Sequence, residues 1–307
     1  TNTPIYPNET LIVFDEIQTC NRALTSLKSF QELTPQYHIV AAGSLLGVAI
    51  NRDKFSFPVG KVTELQLFPM DFEEFLWSLG KESLSQLIRE HYQRMEALPV
   101  SIHTQAIELY KQYLVVGGMP AVVKHFSETN SFLEIFDIQA NIQNNYIADM
   151  AKYASNPTSV KIRASYNSIP VQLAKENKKF QYKIAQKGGT ASIFGEAIEW
   201  LISAGIVLRC SKIDQGMMPL NAYVDVSDFK LYLSDVGLLT QKSGIAPQIV
   251  LSEMEIDNGF IGALTENYVA QQLVSNKLSI FYWKNDNTAE VDFVLQIGIN
   301  IIPVEVK

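Results

Sequence analysis

Two adjacent carboxylates, Asp15 and Glu16, close the apolar run Leu11-Ile12-Val13-Phe14. Such a short continuous run reads as a strand buried on both faces, the kind found in parallel sheets. Open α/β sheets bind ligands at the carboxyl ends of their strands. One carboxylate there can hold Mg2+, directly or through water, and a second can orient or deprotonate a water that attacks a γ-phosphate. Asp15 suits the first task and Glu16 the second. The next strand, Tyr37 to Ala42, ends in Gly43-Ser44. That puts a small polar side chain, Ser44, beside the same tip, where it can sense the γ-phosphate. The plainer reading of Asp15-Glu16 is a solvated acidic turn, and the Gly43-Ser44 tip favours the nucleotide site over it.

A second set of chemical residues lies near the other end. Asp292 falls on one expected strand and Glu305-Val306-Lys307 on the next. With a period of two, Glu305 and Lys307 share a face, opposite Val304 and Val306. An Asp and a Glu on neighbouring strands can hold Mg2+, and the lysine can position the attacking water or stabilise charge. Glu266, on an expected helix from Ile261 to Val274, adds a further carboxylate. The spacing alone is a weak signal, since polar residues alternate on most half-buried strands. A third set is basic: Lys175, Lys178, Lys179, Lys183 and Lys187. They could neutralise nucleic-acid phosphates. The helix that would enter a groove, Ala191 to Ala204, instead carries Glu196 and Glu199 outward and no Arg or Lys, which disfavours base reading.

The elements that must position these groups follow from periodicity. Residues 10–70 read strand, helix (Asn21 to Leu33), strand, then an extended stretch from Phe55 to Phe68. From Asp71 the pattern turns helical, with Phe72, Phe75 and Leu76 on one face. Gly117-Gly118-Met119-Pro120 breaks that run as a turn, and Phe132 to Met150 is a further long helix. Short helices are expected at Val160–Ser165 and Ile169–Lys175. The Ala191–Ala204 helix has a buried stripe of Ile193, Phe194, Ala197, Ile198, Leu201 and Ile202, and Gly205 ends it. Strands at Ile206–Cys210 and Ala222–Val224 follow, so three helices and a β-hairpin spell a winged helix. Phe229–Leu233, Ser279–Trp283, Ala289–Leu295 and Asn300–Val306 read as strands around the Ile261–Val274 helix.

Composition narrows the class. The 307 residues are 47% apolar and 19% charged, enough for real cores and unlike a disordered chain. The net charge of −7 excludes a histone-like basic binder. Two distant cysteines, Cys20 and Cys210, give neither a disulfide framework nor a zinc site. The four histidines have no metal-ligand spacing. The longest apolar run, Ile39 to Ile50, is too short to span a bilayer. No signal-peptide pattern is present. A cytoplasmic protein without membrane contact is therefore expected. Strands close to both termini lead to the further expectation that these residues are part of a longer chain.

Residues 10–76, with LIVFDEIQ, AAGSLLG and SFPVGKVTELQLFPMDFEEFL, resemble the second half of an AAA-type ATPase core. The ordered set YLVVGGMP, LSDVGLL, GALTENYVAQQL, EVDFVL and PVEVK extends the resemblance to nearly the whole chain. It is the pattern of uncharacterised prokaryotic AAA-type ATPases with a C-terminal domain of unknown function. The resemblance implies Asp15 as the Walker B carboxylate, Glu16 as the hydrolytic glutamate and Ser44 as a sensor-like residue. It puts Lys61 where a basic group could meet a phosphate, though a solvated loop lysine is an equal reading. The C-terminal part resembles the PD-(D/E)XK, restriction-endonuclease-like fold, with Glu266, Asp292, Glu305 and Lys307 as its site. The expected architecture is α/β. It comprises a partial P-loop ATPase core (1–70), a helical subdomain (71–155), a winged helix (156–226) and an incomplete nuclease-like domain (227–307).

The implied cofactors are ATP and Mg2+, with DNA, RNA or a protein as partner. The rival readings are a nucleic-acid or protein binding module with vestigial sites, and a metal-dependent nuclease on an ATPase-like scaffold. One departure stands out. No GxxxxGK[ST] loop occurs in the chain: Pro58-Val59-Gly60-Lys61-Val62 lacks the first glycine and the hydroxyl residue. That loop supplies most backbone N–H donors to the phosphates, so these 307 residues alone are expected to hold ATP weakly.

Overall fold

The computed structural model describes residues 4–43, 60–252, 259–285 and 289–307. They form two compact units. One comprises Thr1–Leu67 with Glu199–Ile206, the other Phe68–Ile198 with Val207–Lys307.

In the first unit, β1 (Leu11–Phe14) pairs with β2 (His38–Ala41) in parallel, Leu11 opposite His38 and Phe14 opposite Ala41. Helix α1 (Asn21–Leu33) makes the crossover. Its Leu24 and Leu27 pack with Ile17 against Phe14, Ile39 and Ala41. Among the described residues β1, expected to be buried on both faces, is covered on one. Leu11, Val13 and Val40 are exposed, and only the alternate residues are partly covered. The cause is one-sided packing: α1 covers one face of the pair.

The second unit is helical at first. Its helices are α2 (Phe72–Ser78), α3 (Glu82–Arg94), α4 (Val100–Val116), α5 (Pro120–Thr129), α6 (Ile135–Tyr153) and α7 (Asn156–Leu173). Asp71 starts α2 with a reciprocal cap. Its side chain accepts from the Glu74 N–H at 2.8 Å, and the Glu74 carboxylate accepts from the Asp71 N–H at 2.9 Å. The two short helices expected at 160–175 are one, α7. Pro170 lies inside it, three residues before its end, and has no N–H to donate to the turn before it. Then come α8 (Tyr182–Ala185), α9 (Ala191–Ser203), β3 (Val207–Ile213) and β4 (Val224–Leu233). Gly205 closes α9 with a positive φ of 69°, as its position in sequence implies. The chain continues through α10 (Val236–Ser243), α11 (Pro247–Leu251) and α12 (Gly259–Ser275). It ends in β5 (Phe281–Lys284), β6 (Glu290–Ile297) and β7 (Asn300–Val304).

Three helices and a hairpin thus occur in the expected order, but the hairpin is not a separate wing. β3 pairs antiparallel with β4 and parallel with β5, so one five-stranded sheet runs β4-β3-β5-β6-β7. The boundary expected at 226/227 falls inside β4. The strand that finishes the hairpin also borders the sheet carrying Asp292.

The helical part is tied to the sheet by one buried carboxylate. Asp235 is 0% exposed and caps α10, accepting from the Leu238 N–H at 2.9 Å and the Gly118 N–H at 2.6 Å. Close backbone approach makes this possible. A Cβ on Gly237 would lie 2.6 Å from the Gly117 nitrogen, and one on Gly118 would overlap the Met70 carbonyl. Met70 donates its N–H to the Gly118 carbonyl at 2.7 Å and accepts from the Tyr113 hydroxyl at 2.5 Å. Gln271 of α12 completes the knot, donating to Tyr113 Oη at 2.9 Å and accepting from the Val236 N–H at 2.9 Å.

Burial pushes the Asp235 carboxyl up to about 6, against the pull of the Gly118, Leu238 and Gly237 N–H groups and of Gln271. A carboxyl whose folded pKa lies above its unfolded value stabilises most below about pH 4 and loses that contribution as pH rises through 6. The scale is up to about 3 kcal/mol. In Asp235→Asn the amide N–H2 must face one of the backbone N–H donors, costing roughly 1–3 kcal/mol. Urea unfolding at pH 4 to 7 should show wild type ahead of Asp235→Asn by a margin that is widest near pH 4. A margin flat across that range would mean that the carboxylate titrates normally.

Candidate active site

The β1 tip is shaped by its backbone. Ala42 donates its N–H to the Phe14 carbonyl at 2.8 Å, and Ile17 donates to the Ala42 carbonyl at 3.0 Å, so the two strand ends stay side by side beyond the ladder. Between them Glu16 adopts a left-handed conformation, φ 50° and ψ 42°, uncommon for a residue other than Gly, Asn or Asp. Its N–H is held by Asp15 Oδ1 at 3.0 Å. Its carbonyl accepts from the Thr19 N–H at 2.9 Å and the Thr19 hydroxyl at 2.8 Å. Both acidic side chains are exposed. Gln18 Nε2 donates to Glu16 Oε2 at 2.6 Å. Sequence reasoning did not single out Gln18. Its signal was available: an amide two residues after a strand-tip carboxylate, in a turn too tight for the two to separate.

Ser44 lies outside the described residues. Lys61 is away from the tip. It is exposed and pairs with Glu32 at 3.4 Å. Glu32 sits near the far end of α1, about 16 Å along the helix from its first residue at 1.5 Å per residue. The phosphate reading of Lys61 thus gives way to that of a solvated loop lysine.

The C-terminal sheet treats its charges differently. Glu266 is 2% exposed and accepts from Lys178, from Lys230 at 3.1 Å and from the Tyr232 hydroxyl. Lys230, 1% exposed, also pairs with Glu290 at 2.7 Å, and Glu290 with Lys284 at 2.9 Å. Burial pushes the Glu266 carboxyl up, but Lys230, Lys178 and the Tyr232 hydroxyl outweigh it and hold it below its usual range. Burial likewise works against the Lys230 ammonium, which Glu266 and Glu290 keep charged. Lys230 and Tyr232 were not singled out beforehand, although a lysine inside Phe229-Lys230-Leu231-Tyr232-Leu233 marks a buried cation in need of a counter-ion.

Asp292 and Glu305 do come close. Phe293 pairs with Val304, and one step further along that register Asp292 faces Glu305. Asp292 Oδ2 accepts the Val306 N–H at 2.9 Å. Burial raises the Asp292 carboxyl; the Val306 N–H opposes this, and the Glu266 and Glu305 charges push it further up. Glu305 and Lys307 are exposed and follow the end of β7. Among the described residues no three His, Cys, Asp or Glu side chains converge to hold a metal ion. Two ammonium groups and a hydroxyl already engage Glu266, the residue expected to hold a metal with Asp292 and Glu305.

The basic stretch is also partly turned inward. Lys178 is on Glu266, and Lys179 pairs with Asp228 at 2.7 Å. Lys175, Lys183 and Lys187 remain exposed, as do Glu196 and Glu199 on α9. No helix among the described residues is long and apolar enough to cross a membrane.

Comparison with known proteins places three family matches along the chain. Residues 1–76 match an AAA domain, residues 107–249 a domain of unknown function (DUF8612) and residues 261–307 another (DUF4143). The middle match runs across the positions 155/156 and 226/227, and β5, β6 and β7 fall in the last match. The AAA match holds the Asp15-Glu16 tip and agrees with the AAA-type resemblance of the sequence. Among solved structures the chain is similar to the Walker-type ATPase PABY2304 of Pyrococcus abyssi. The identity is 15% and the TM-score 0.44, covering 76% of this chain. The chain spans 62% of the length of that structure. No curated protein matches it in sequence.

Removing the central ammonium tests the sheet cluster. Lys230→Met leaves Glu266 and Glu290 without their shared cation, which should cost about 3 kcal/mol or more at pH 7. Glu266 has a depressed folded pKa, so its contribution in wild type is present above its unfolded value and is lost as pH falls through the folded one. In the variant Glu266 keeps only Lys178 and Glu290 only Lys284, and acid relieves the under-compensated charge instead. The wild type to variant gap in denaturant midpoint should narrow from pH 7 to pH 4. A gap that widens in acid would mean that Lys230 is not the counter-ion of Glu266.

Proposed function

We propose that the β1 tip is the hydrolytic centre of an AAA-type nucleotide phosphohydrolase acting on ATP. The observation that carries this reading is the pair of exposed carboxylates on one pinned turn at the end of a parallel strand pair, inside the AAA match. Asp15 uses Oδ1 on the Glu16 N–H and turns Oδ2 to solvent, a hard oxygen donor suited to Mg2+. When bound there, the ion would neutralise charge on the β- and γ-phosphates. Glu16, held at Oε2 by Gln18, keeps Oε1 for the attacking water and takes its proton as the water oxygen bonds the γ-phosphorus and the bond from that phosphorus to the β–γ bridging oxygen breaks, with ADP as the leaving group. Ser44, after the β2 tip, is the proposed γ-phosphate sensor.

The C-terminal sheet is read as a scaffold rather than a nuclease centre, because Glu266 is saturated by Lys178, Lys230 and Tyr232. The region expected to be a winged helix is read as a protein-contact or structural element, because Lys178 and Lys179 are paired with Glu266 and Asp228 and α9 carries exposed carboxylates. A protein partner therefore suits the surface better than DNA or RNA.

ATP turnover by the full-length protein tests the reading. Glu16→Gln removes the base but keeps the shape, and should lower kcat about a hundredfold or more while ATP still binds. Asp15→Asn should weaken the Mg2+ dependence. Turnover unchanged in Glu16→Gln would move the hydrolytic centre elsewhere.

A further inference from the structure

We infer that Gln18 is a positioning residue for the Glu16 carboxylate, an assignment that rests on reading Glu16 as the group that activates water. The turn fixes the Glu16 backbone through three hydrogen bonds and a left-handed φ, but it leaves the side chain to be placed. An exposed glutamate has three rotatable side-chain bonds and points in one direction only if something holds it. Among the described residues the group that holds it is the Gln18 amide, 2.6 Å from Oε2.

Gln18 can do so because it is itself immobile. It is 6% exposed, in a turn next to Ile17, which packs on Leu24 and Leu27. Among the described residues its buried Oε1 has no hydrogen-bond partner. A buried amide with an unmatched acceptor is unfavourable for folding, and an apolar side chain of the same size would avoid the cost. The one bond the amide does make, to a carboxylate at a strand tip, is its evident use. The orientation of the amide follows from charge, because turning Oε1 toward an ionised Glu16 would set two acceptors against each other. Gln18 thus anchors one carboxylate oxygen and leaves the other in a defined place.

Two substitutions separate positioning from packing. Gln18→Leu keeps volume and suits the buried site, but cannot donate. Gln18→Glu keeps shape, but offers an acceptor and a like charge to Glu16. In ATP hydrolysis by the full-length protein both should lower kcat by about tenfold to a hundredfold, with KM for ATP within about twofold of wild type. The urea midpoint of Gln18→Leu should be no lower than that of wild type, because the leucine removes an unsatisfied polar group. Full turnover in Gln18→Leu, or a rise, overturns the assignment while leaving Glu16 as base. A wild type whose turnover Glu16→Gln does not change overturns the reading of Glu16, and this inference with it. Loss of turnover matched by loss of folding in Gln18→Leu would make Gln18 a packing residue and overturn it too.

Discussion

The larger unit depends on one buried carboxylate meeting backbone N–H groups at a place where only glycine fits. Asp235 is inaccessible to water, so its charge is tolerated only because Gly118 and Leu238 donate to its two oxygens. Those donors reach it because Gly117, Gly118 and Gly237 let the α4–α5 turn, α10 and the segment at Met70 approach to backbone contact. The knot then specifies position rather than adding much net stability, because burial lifts the carboxyl to about 6 and works against the bonds that hold it. Gln271 and Tyr113 carry the same constraint into α12 and back to Met70. Helices that could slide on one another by apolar contact alone are locked in one register.

The sheet repeats that logic with side chains in place of backbone. Lys230 lies between Glu266 and Glu290, and Lys178 and Tyr232 close the remaining valences of Glu266. Removing one member of such a set leaves a buried charge, whereas an apolar replacement of the whole set could be nearly neutral. The cluster joins β4, β6, α12 and the segment before α8. It fixes how distant parts of the chain meet, and the same bonds leave Glu266 little capacity to hold a metal.

Legibility from sequence followed the range of the interactions. Helix α1 spans Asn21–Leu33 as read, because the turn of Leu24 and Leu27 onto one face is a local pattern. The parallel pairing of β1 with β2 was also legible, since two short apolar runs joined by a helix leave few other arrangements. The exposed face of β1 was not, because a run of four apolar residues does not say how many layers cover it. Nor was the joining of the hairpin to the later strands. Ser211 pairs with Phe281, and nothing local to either residue announces it. The Lys230–Glu266 pair, 36 residues apart, was missed for the same reason, though an unpaired lysine in an apolar strand pointed to a partner somewhere.

Five carboxylates came out of the sequence as possible chemistry at two places, and their surroundings now rank those places. Catalysis and metal binding need lone pairs that folding has not already used. Glu266 has engaged three of its about four acceptor positions, with Lys178, Lys230 and Tyr232, and Asp292 has given one oxygen to the Val306 N–H while burial and two neighbouring carboxylates disfavour its charge. At the β1 tip the balance is reversed. Asp15 and Glu16 are exposed, and the bonds on one oxygen of each, from the Glu16 N–H and from Gln18, orient the side chains without saturating them. The left-handed glutamate is a local backbone cost, held in place by the bonds from Thr19 to its carbonyl and from its own N–H to Asp15. The strained residue, the half-satisfied carboxylates and the buried amide with its unmatched acceptor all fall within Asp15 to Gln18. That concentration in one short turn is the physical ground on which the proposed hydrolytic role of Asp15 and Glu16 rests.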